Sequence, residues 1–327
     1  MTTVFAPGSV GNVGPGFDIL GLAIDGLGDR VTVELGKSGP VIVRGRDAEL
    51  VPTDPAKNAA SIAANAMIRK QAESGRLGRS RRASRPATKS GRARRAPAAG
   101  ETPALQITID KGLPVSGGMG GSAASSVAGA LAAALAIGAN ASNEDIMTAA
   151  LEGEMFVSGR HLDNIAPITL GGLVLSRSID PIDAVPLKVP DNWSVALITP
   201  RVRIETKQAR AILPQQWDRS WIQQMANTAA LIAAFASGDG ALARRALDDL
   251  YAEPRRAPMI PHFAEVKRAA LDAGAFGCSI SGSGPTIFAI VDTSTSRNCL
   301  DAMRRAMGTI ESETRIAEIA RRGAHAV

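Results

Sequence analysis

Residues Lys111 to Ser126 read KGLPVSGGMGGSAASS. Glycines at 117, 118, 120 and 121 and serines at 116, 122, 125 and 126 precede an alanine-rich apolar run, and no charge occurs between Gly112 and Asn143. A membrane segment, a flexible linker and an anion-binding helix start share this appearance. The strongly apolar part covers only Val127 to Ile137, well short of the roughly 20 residues that a span requires. A linker would not lead directly into a patterned helix. What remains is a strand (ALQITID), a glycine-rich loop and a helix N-terminus, whose outward amides and positive dipole end suit phosphate. On its own the loop fits a tight turn equally well, because the Walker A lysine and the Rossmann glycine spacing are both missing.

Outward from this stretch, the sequence mixes strand and helix patterns. TVFAP, GSVGNVGPGFDILGLAID, DRVTVELG and PVIVRG read as strands and hairpins. NAASIAANAMIRK has helical spacing and predicts a helix from Asn58 to about Lys70. SSVAGALAAALAIG predicts another, followed by SNEDIMTAALEGEMFVSG with Ser142 as its cap and acids in its first turn. GRHLDNIAP reads as a turn, TLGGLVLS and WSVALITP as strands, and CSISGSGPTIFAIVD as a hairpin. TKQARAILP, the run from Trp217 to Ser237, ALARRALDDLY and AEVKRAALDAGA read as helices. Without strict βα alternation the class is α+β. The 327 residues suffice for two domains, divided here as 1–165 and 166–327.

Composition narrows the function class. The net charge of +6 suggests nucleic acid until it is located. Arg69 to Arg95 holds eleven basic residues against the single acid Glu73, and the rest of the chain has 26 basic and 30 acidic residues. The basicity therefore belongs to one low-complexity segment, 73–100, read as a disordered insertion. It lacks interleaved aromatics for base stacking, so nucleic acid is not the expected partner. Cys278 and Cys299 match no zinc or redox spacing. The expected compartment is the reducing cytoplasm, since MTTVFAPGSVGNVGPGFD has no signal-like basic and apolar regions and no membrane segment is read.

Three separated motifs, GNVGPGFDILGLAID, GLPVSGGMGGSAAS and GCSISGSGPTIFAI, together with RHLDNIAP, TKQARAILP and EPRR, resemble the GHMP small-molecule kinases over nearly the whole chain except residues 73–100. The resemblance implies an N-terminal domain like ribosomal protein S5 domain 2 and a C-terminal ferredoxin-like domain. It implies ATP and Mg2+, a homodimer, and an amino-acid alcohol, L-homoserine, as acceptor. Alternatives from the same superfamily take mevalonate-like or sugar substrates, and a different class would be a nucleic-acid binder acting through the arginine-rich segment. The loop departs from the family's usual GLGSSAAS, because Met119 stands for a leucine and Gly121 for the first serine.

Site roles follow from the resemblance. ATP is expected along Pro114, Val115, Ser116, Gly117, Gly118, Met119, Gly120, Gly121, Ser122, Ala123 and Ala124, with Asn58 beside the adenine. Ser122 and Glu154 are expected on the metal, with Glu152 competing for the acid's role; oxygen ligands suit Mg2+. Asn12, Asp18, His161, Thr206, Arg210, Arg256 and Gly282 are expected around the amino acid. Asp18 would meet its ammonium, and Arg210 and Arg256 its carboxylate; Arg255 is expected to point to solvent. Each has a plainer reading, as turn cap, helix cap, structural histidine or solvated charge. The catalytic positions are Asn164 and Arg210. Asn164 stands where other family members carry an aspartate base and cannot accept a proton at neutral pH, so no carboxylate base is expected, with the neighbouring Asp163 left as the residual candidate.

Overall fold

The computed structural model describes residues 1–74, 103–214, 216 and 218–327. The basic insertion beyond Ser74 lies outside the described residues, as does Trp217 at the start of one expected helix.

The first sheet grows from β1 (Thr2–Gly11) and the long β2 (Leu20–Leu35), an antiparallel pair whose register shifts between Pro7 and Gly8. What the sequence presents as two short strands, GLAID and DRVTVELG, is therefore one 16-residue strand. Its length gives β2 two partners on one side. Arg30–Leu35 pairs with β4 (Leu105–Lys111), and Leu20–Leu22 pairs with β5 (Leu173–Ile179). β3 (Ile42–Gly45) adds parallel to β4, β6 (Ile182–Leu187) adds to β5, and the short β11 (His325–Ala326) returns to β1.

Helices α1 (Ala59–Glu73), α2 (Gly121–Ala136), α3 (Asn143–Val157) and α4 (Ile165–Leu170) pack together, with α2 and α4 seated on β1 and β2. Small side chains let α2 sit deep: Ala123, Ala124, Val127, Ala128, Ala130 and Ala132 are fully buried. Alanine costs no side-chain entropy on burial. Ser142 caps α3 as expected, in a capping box closed by Asp145.

The second sheet has the order β10-β7-β9-β8, from β7 (Trp193–Pro200), β8 (Gly277–Ile280), β9 (Ile287–Asp292) and β10 (Ser312–Glu318). Between β7 and β8 lie α5 (Thr206–Ala211), α6 (Ser220–Ser237), α7 (Gly240–Ala246), α8 (Glu253–Arg256) and α9 (Phe263–Asp272); α10 (Ser296–Met307) joins β9 to β10. With α9 and α10 packed beside it, this sheet has the βαββαβ ferredoxin-like arrangement. The α+β expectation holds, as does the ferredoxin-like arrangement in the C-terminal part.

Several local readings change. IAP, read as part of a turn, opens α4, and the strand expected from Thr169 begins only at Leu173 because Gly171 and Gly172, both at positive φ, end the helix first. β6, α10 and β10 have no counterpart in the sequence reading. A division at 165/166 falls at the start of α4 and separates β5 and β6 from the sheet they pair with.

Candidate active site

A cavity of about 380 Å³ lies where the loop before α2 meets the β1–β2 connection, the start of α4 and the β8–β9 turn. The loop is held from several sides. Ser281 and Thr286 donate from their hydroxyls to the carbonyls of Gly118 and Gly117, both at 2.6 Å, and the Ser9 amide donates to the Met119 carbonyl at 3.2 Å. Gly118 has φ +76°, and a Cβ there would sit 2.4 Å from the Ser281 carbonyl oxygen, so no side chain fits. Gly120 caps α2 in the left-handed region without a side-chain hydrogen bond.

Backbone amides from Ser116 to Ala123 make no hydrogen bond outside regular structure among the described residues. Free amides at a helix start of this kind can receive an anion. Val115 differs, since its amide donates to the Asp47 carboxylate at 2.9 Å and is already engaged. Met119, Ala123 and Ala124, expected along ATP, have their side chains in the core and do not line the cavity. Asn58 lines the cavity but acts as a helix cap, accepting from the Ser61 amide at 3.1 Å and donating to the Pro52 carbonyl at 2.8 Å. Leu50, Val51, Pro52, Phe156 and Val157 supply an apolar wall nearby.

Glu154 lies on this cavity while Glu152 faces away, paired with Arg69 at 2.6 Å. Glu154 is buried; its Oε2 accepts from the Ser158 hydroxyl at 2.7 Å, and its Oε1 has no aligned partner. Burial pushes its pKa above the usual carboxylate range, against the pull of the Ser158 and Ser122 hydroxyls. A buried carboxylate oxygen without an aligned partner, close to the Ser122 hydroxyl at a helix start, fits a divalent cation. The set Asp18, His161 and Asp163 also brings three ligand atoms within 4.8 Å of one another. It suits a cation poorly, because Asp18 is already engaged by a guanidinium and Asp163 by a protonated histidine.

That protonation is favoured by charge: His161 Nε2 lies 3.2 Å from the Ser158 carbonyl, and Nδ1 lies 3.1 Å from Asp163 Oδ1, within ion-pair distance though not aligned as a hydrogen bond. Burial alone would lower the His161 pKa, but Asp163 outweighs it and pushes the value up to about 9. Asp163 is likewise opposed by burial and held below the usual range by His161. A histidine with a raised pKa contributes stability fully below its unfolded value and loses it as pH rises through the folded one. Thermal unfolding of wild type and His161→Asn should therefore differ most near pH 6, the gap closing as pH passes about 9. A gap that is constant over this range would show that the His161 pKa is not raised in the fold, and one that widens with pH would show that His161 is neutral there.

The substrate-side residues converge as expected, but some engage one another. Arg210 grips Asp18 with two hydrogen bonds, at 3.0 and 2.5 Å, so the residues assigned to opposite ends of an amino acid form an ion pair. Asn12, at φ +67°, is a hub: its amide donates to Asp163 at 3.2 Å, its side-chain oxygen accepts from the Asp18 amide at 3.0 Å, and its nitrogen donates to the Gly282 carbonyl at 3.1 Å. Arg256 is 2% exposed and donates to the carbonyls of Gly282 at 2.8 Å and Ala209 at 3.2 Å. It lines the cavity, and among the described residues no carboxylate lies within ion-pair distance. Burial, reinforced by Arg210, lowers its pKa. Thr206 sits 3.3 Å from Ser283 across the same wall, and Asn164 accepts from Ser9 at 2.8 Å. Arg255 is turned away from the cavity and is partly exposed, donating to the carbonyls of Leu250 and Tyr251, both at 2.8 Å.

Sequence reasoning missed the groups that hold these residues. Asp29, Lys111, Asp47 and Glu253 belong to none of the quoted glycine motifs' expected chemistry, and each finds its partner far along the chain. A glycine-rich helix start with free amides, a buried guanidinium and a buried acid share one cavity, an arrangement that suits a small-molecule kinase. Models of the GHMP kinases N terminal domain and GHMP kinases C terminal match residues 88–172 and 231–309. The homoserine kinase of Chloroherpeton thalassium is 37% identical, with 98% of each chain covered, and that of Arabidopsis thaliana is 37% identical over 88% of this chain and 73% of that one. The crystal structure of homoserine kinase from Cytophaga hutchinsonii superposes with a TM-score of 0.84 at 36% identity, covering 100% of this chain and 97% of that one. The chain belongs to the GHMP kinases and, within them, to the homoserine kinase family.

Proposed function

We propose that the protein transfers the γ-phosphoryl group of ATP to the hydroxyl of L-homoserine, giving O-phospho-L-homoserine for threonine synthesis. The observation that carries this reading is Arg256, a buried guanidinium on the cavity wall with no carboxylate partner of its own among the described residues. An amino-acid carboxylate supplies that partner. The substrate ammonium goes to Asp18, which must loosen its bidentate hold on Arg210; Arg210 can then join Arg256 on the carboxylate. Thr206, His161 and Asn12 complete the surround.

The free amides of the α2 start receive the phosphates, and glycines leave room for them to approach. Ser122 and Glu154 would hold Mg2+, which when bound neutralises phosphate charge. Catalysis then rests mainly on holding the hydroxyl in line with the phosphorus and on neutralising charge. Asp163 is a poor base, because a depressed carboxyl pKa gives it little affinity for a proton. Asn164 cannot accept one, so the proton leaves to phosphate or water.

The described residues contain no helix long and apolar enough to cross a membrane. Two free, buried cysteines accord with the cytoplasmic location we infer. A homodimer belongs to the same reading through the family.

A substrate panel with coupled ADP release tests the proposal. L-Homoserine should be phosphorylated, whereas 4-hydroxybutyrate and 3-aminopropanol, each lacking one charged end, should fall by at least about 10²-fold in kcat/KM, because each leaves a desolvated group unpaired. Turnover of mevalonate or a sugar in preference to homoserine would reject the assignment.

A further inference from the structure

Beneath the phosphate loop lies a fully buried carboxylate, Asp29, in β2. One of its oxygens accepts the amides of Gly112 and Leu113, both at 3.1 Å, where the chain leaves β4. The other accepts the Ser125 hydroxyl at 2.7 Å, in the first turn of α2, and the Lys111 ammonium. Lys111 in turn donates to the Gly121 carbonyl at 3.1 Å and lies 3.3 Å from the Ser125 hydroxyl. Both ends of the loop thus converge on one buried ion pair.

A helix start is ordinarily fixed by a capping side chain that takes one of its first amides. Here that solution would defeat the purpose, because phosphate needs those same amides. Gly120 accordingly provides no side-chain cap. Asp29 and Lys111 grip the loop through its entry amides, a carbonyl and a hydroxyl, and leave the anion-binding amides free. Lys111 also has all three ammonium hydrogens directed at protein oxygens, so it has none to spare for a phosphate.

We propose that Asp29, together with Lys111, is the positioning residue of the phosphate loop: the pair sets the separation between the end of β4 and the start of α2 and thereby the aim of the amides at the transferred phosphoryl group. The inference rests on the ATP-dependent kinase reading above.

The test compares Asp29→Asn, Lys111→Met and the double variant with wild type by steady-state kinetics, calorimetric binding of an ATP analogue and thermal unfolding. Asp29→Asn should lower kcat about 10²-fold, the scale of a misplacement of about 1 Å, and weaken nucleotide binding, with the KM for L-homoserine unchanged. The double variant, which removes both buried charges, should recover most of the thermal midpoint while kcat stays low. Recovery of kcat together with the midpoint would reduce the pair to a structural element and overturn the proposal. So would near-normal kcat in Asp29→Asn, or failure of both variants to fold. If wild type binds and hydrolyses ATP but ignores homoserine, the acceptor assignment fails instead, and nucleotide binding by the variants still decides the role of Asp29.

Discussion

Arg256→Ala is expected to raise the KM for L-homoserine at least about 30-fold, from the roughly 2–5 kcal/mol lost when one partner of a desolvated charge pair is truncated. The guanidinium is buried over the Phe17 ring, hydrogen-bonded among the described residues to the carbonyls of Gly282 and Ala209, and stands on the cavity wall. Substrate carboxylate would be the anion that balances it, so truncation leaves that carboxylate desolvated and unmatched. Lysine should rescue poorly, because a point-charge ammonium cannot reach two carbonyls and a carboxylate in one plane. The proposed nucleotide contacts are the loop amides rather than Arg256, and the KM for ATP should hold. Arg255→Ala is the comparison. Its guanidinium secures the carbonyls of Leu250 and Tyr251, so it should lose about 1–3 kcal/mol of stability and little substrate affinity. Equal KM effects in the two variants, measured by initial rates, would remove Arg256 from the substrate.

The contrast between these neighbouring arginines shows what a sequence can and cannot carry. EPRR presents two identical side chains, and α8 places one against the cavity and one against its own preceding loop. The resemblance set Arg256 toward the cavity and Arg255 toward solvent; it did not show that partly exposed Arg255 also holds two carbonyls, because a loop carbonyl seeking a donor leaves no pattern in the sequence. The same holds more widely. Periodicity made α1, α2 and α3 legible, since a helix face is a local property, and Ser142 marked the cap of α3. The glycine motifs marked the loop through a local need for positive φ and bare backbone. Asp29 was invisible, because its partners at 111 to 125 meet it only after β2 and β4 have paired. The Asp18–Arg210 ion pair spans 192 residues and was equally hidden. Reading each as a substrate contact was possible; reading each as the other's partner required the fold.

Glu154→Gln should separate activity from stability in opposite directions. The wild-type carboxyl is buried, one oxygen on the Ser158 hydroxyl and the other without an aligned partner, and burial raises its pKa. An acid with a raised folded pKa stabilises the fold most when protonated; that contribution is lost as pH rises from the unfolded value through the folded one. Above the ordinary carboxylate range the buried acid therefore weakens the fold relative to a neutral side chain, and a glutamine of the same shape, whose carbonyl still accepts from Ser158, should unfold at a higher temperature. The advantage should shrink in acid, where wild type is protonated as well. Activity should move the other way, with kcat falling about 30- to 10³-fold, the scale of about 2–4 kcal/mol of lost charge neutralisation at the phosphates. A second readout avoids dependence on turnover: the rise in thermal midpoint that Mg2+ with ADP gives wild type should be much reduced in Glu154→Gln, while ADP without metal should act on both alike. A variant with normal kcat and an undiminished Mg2+ response would leave Glu154 a buried acid tolerated for packing, and the cation would have to be sought elsewhere along the cavity.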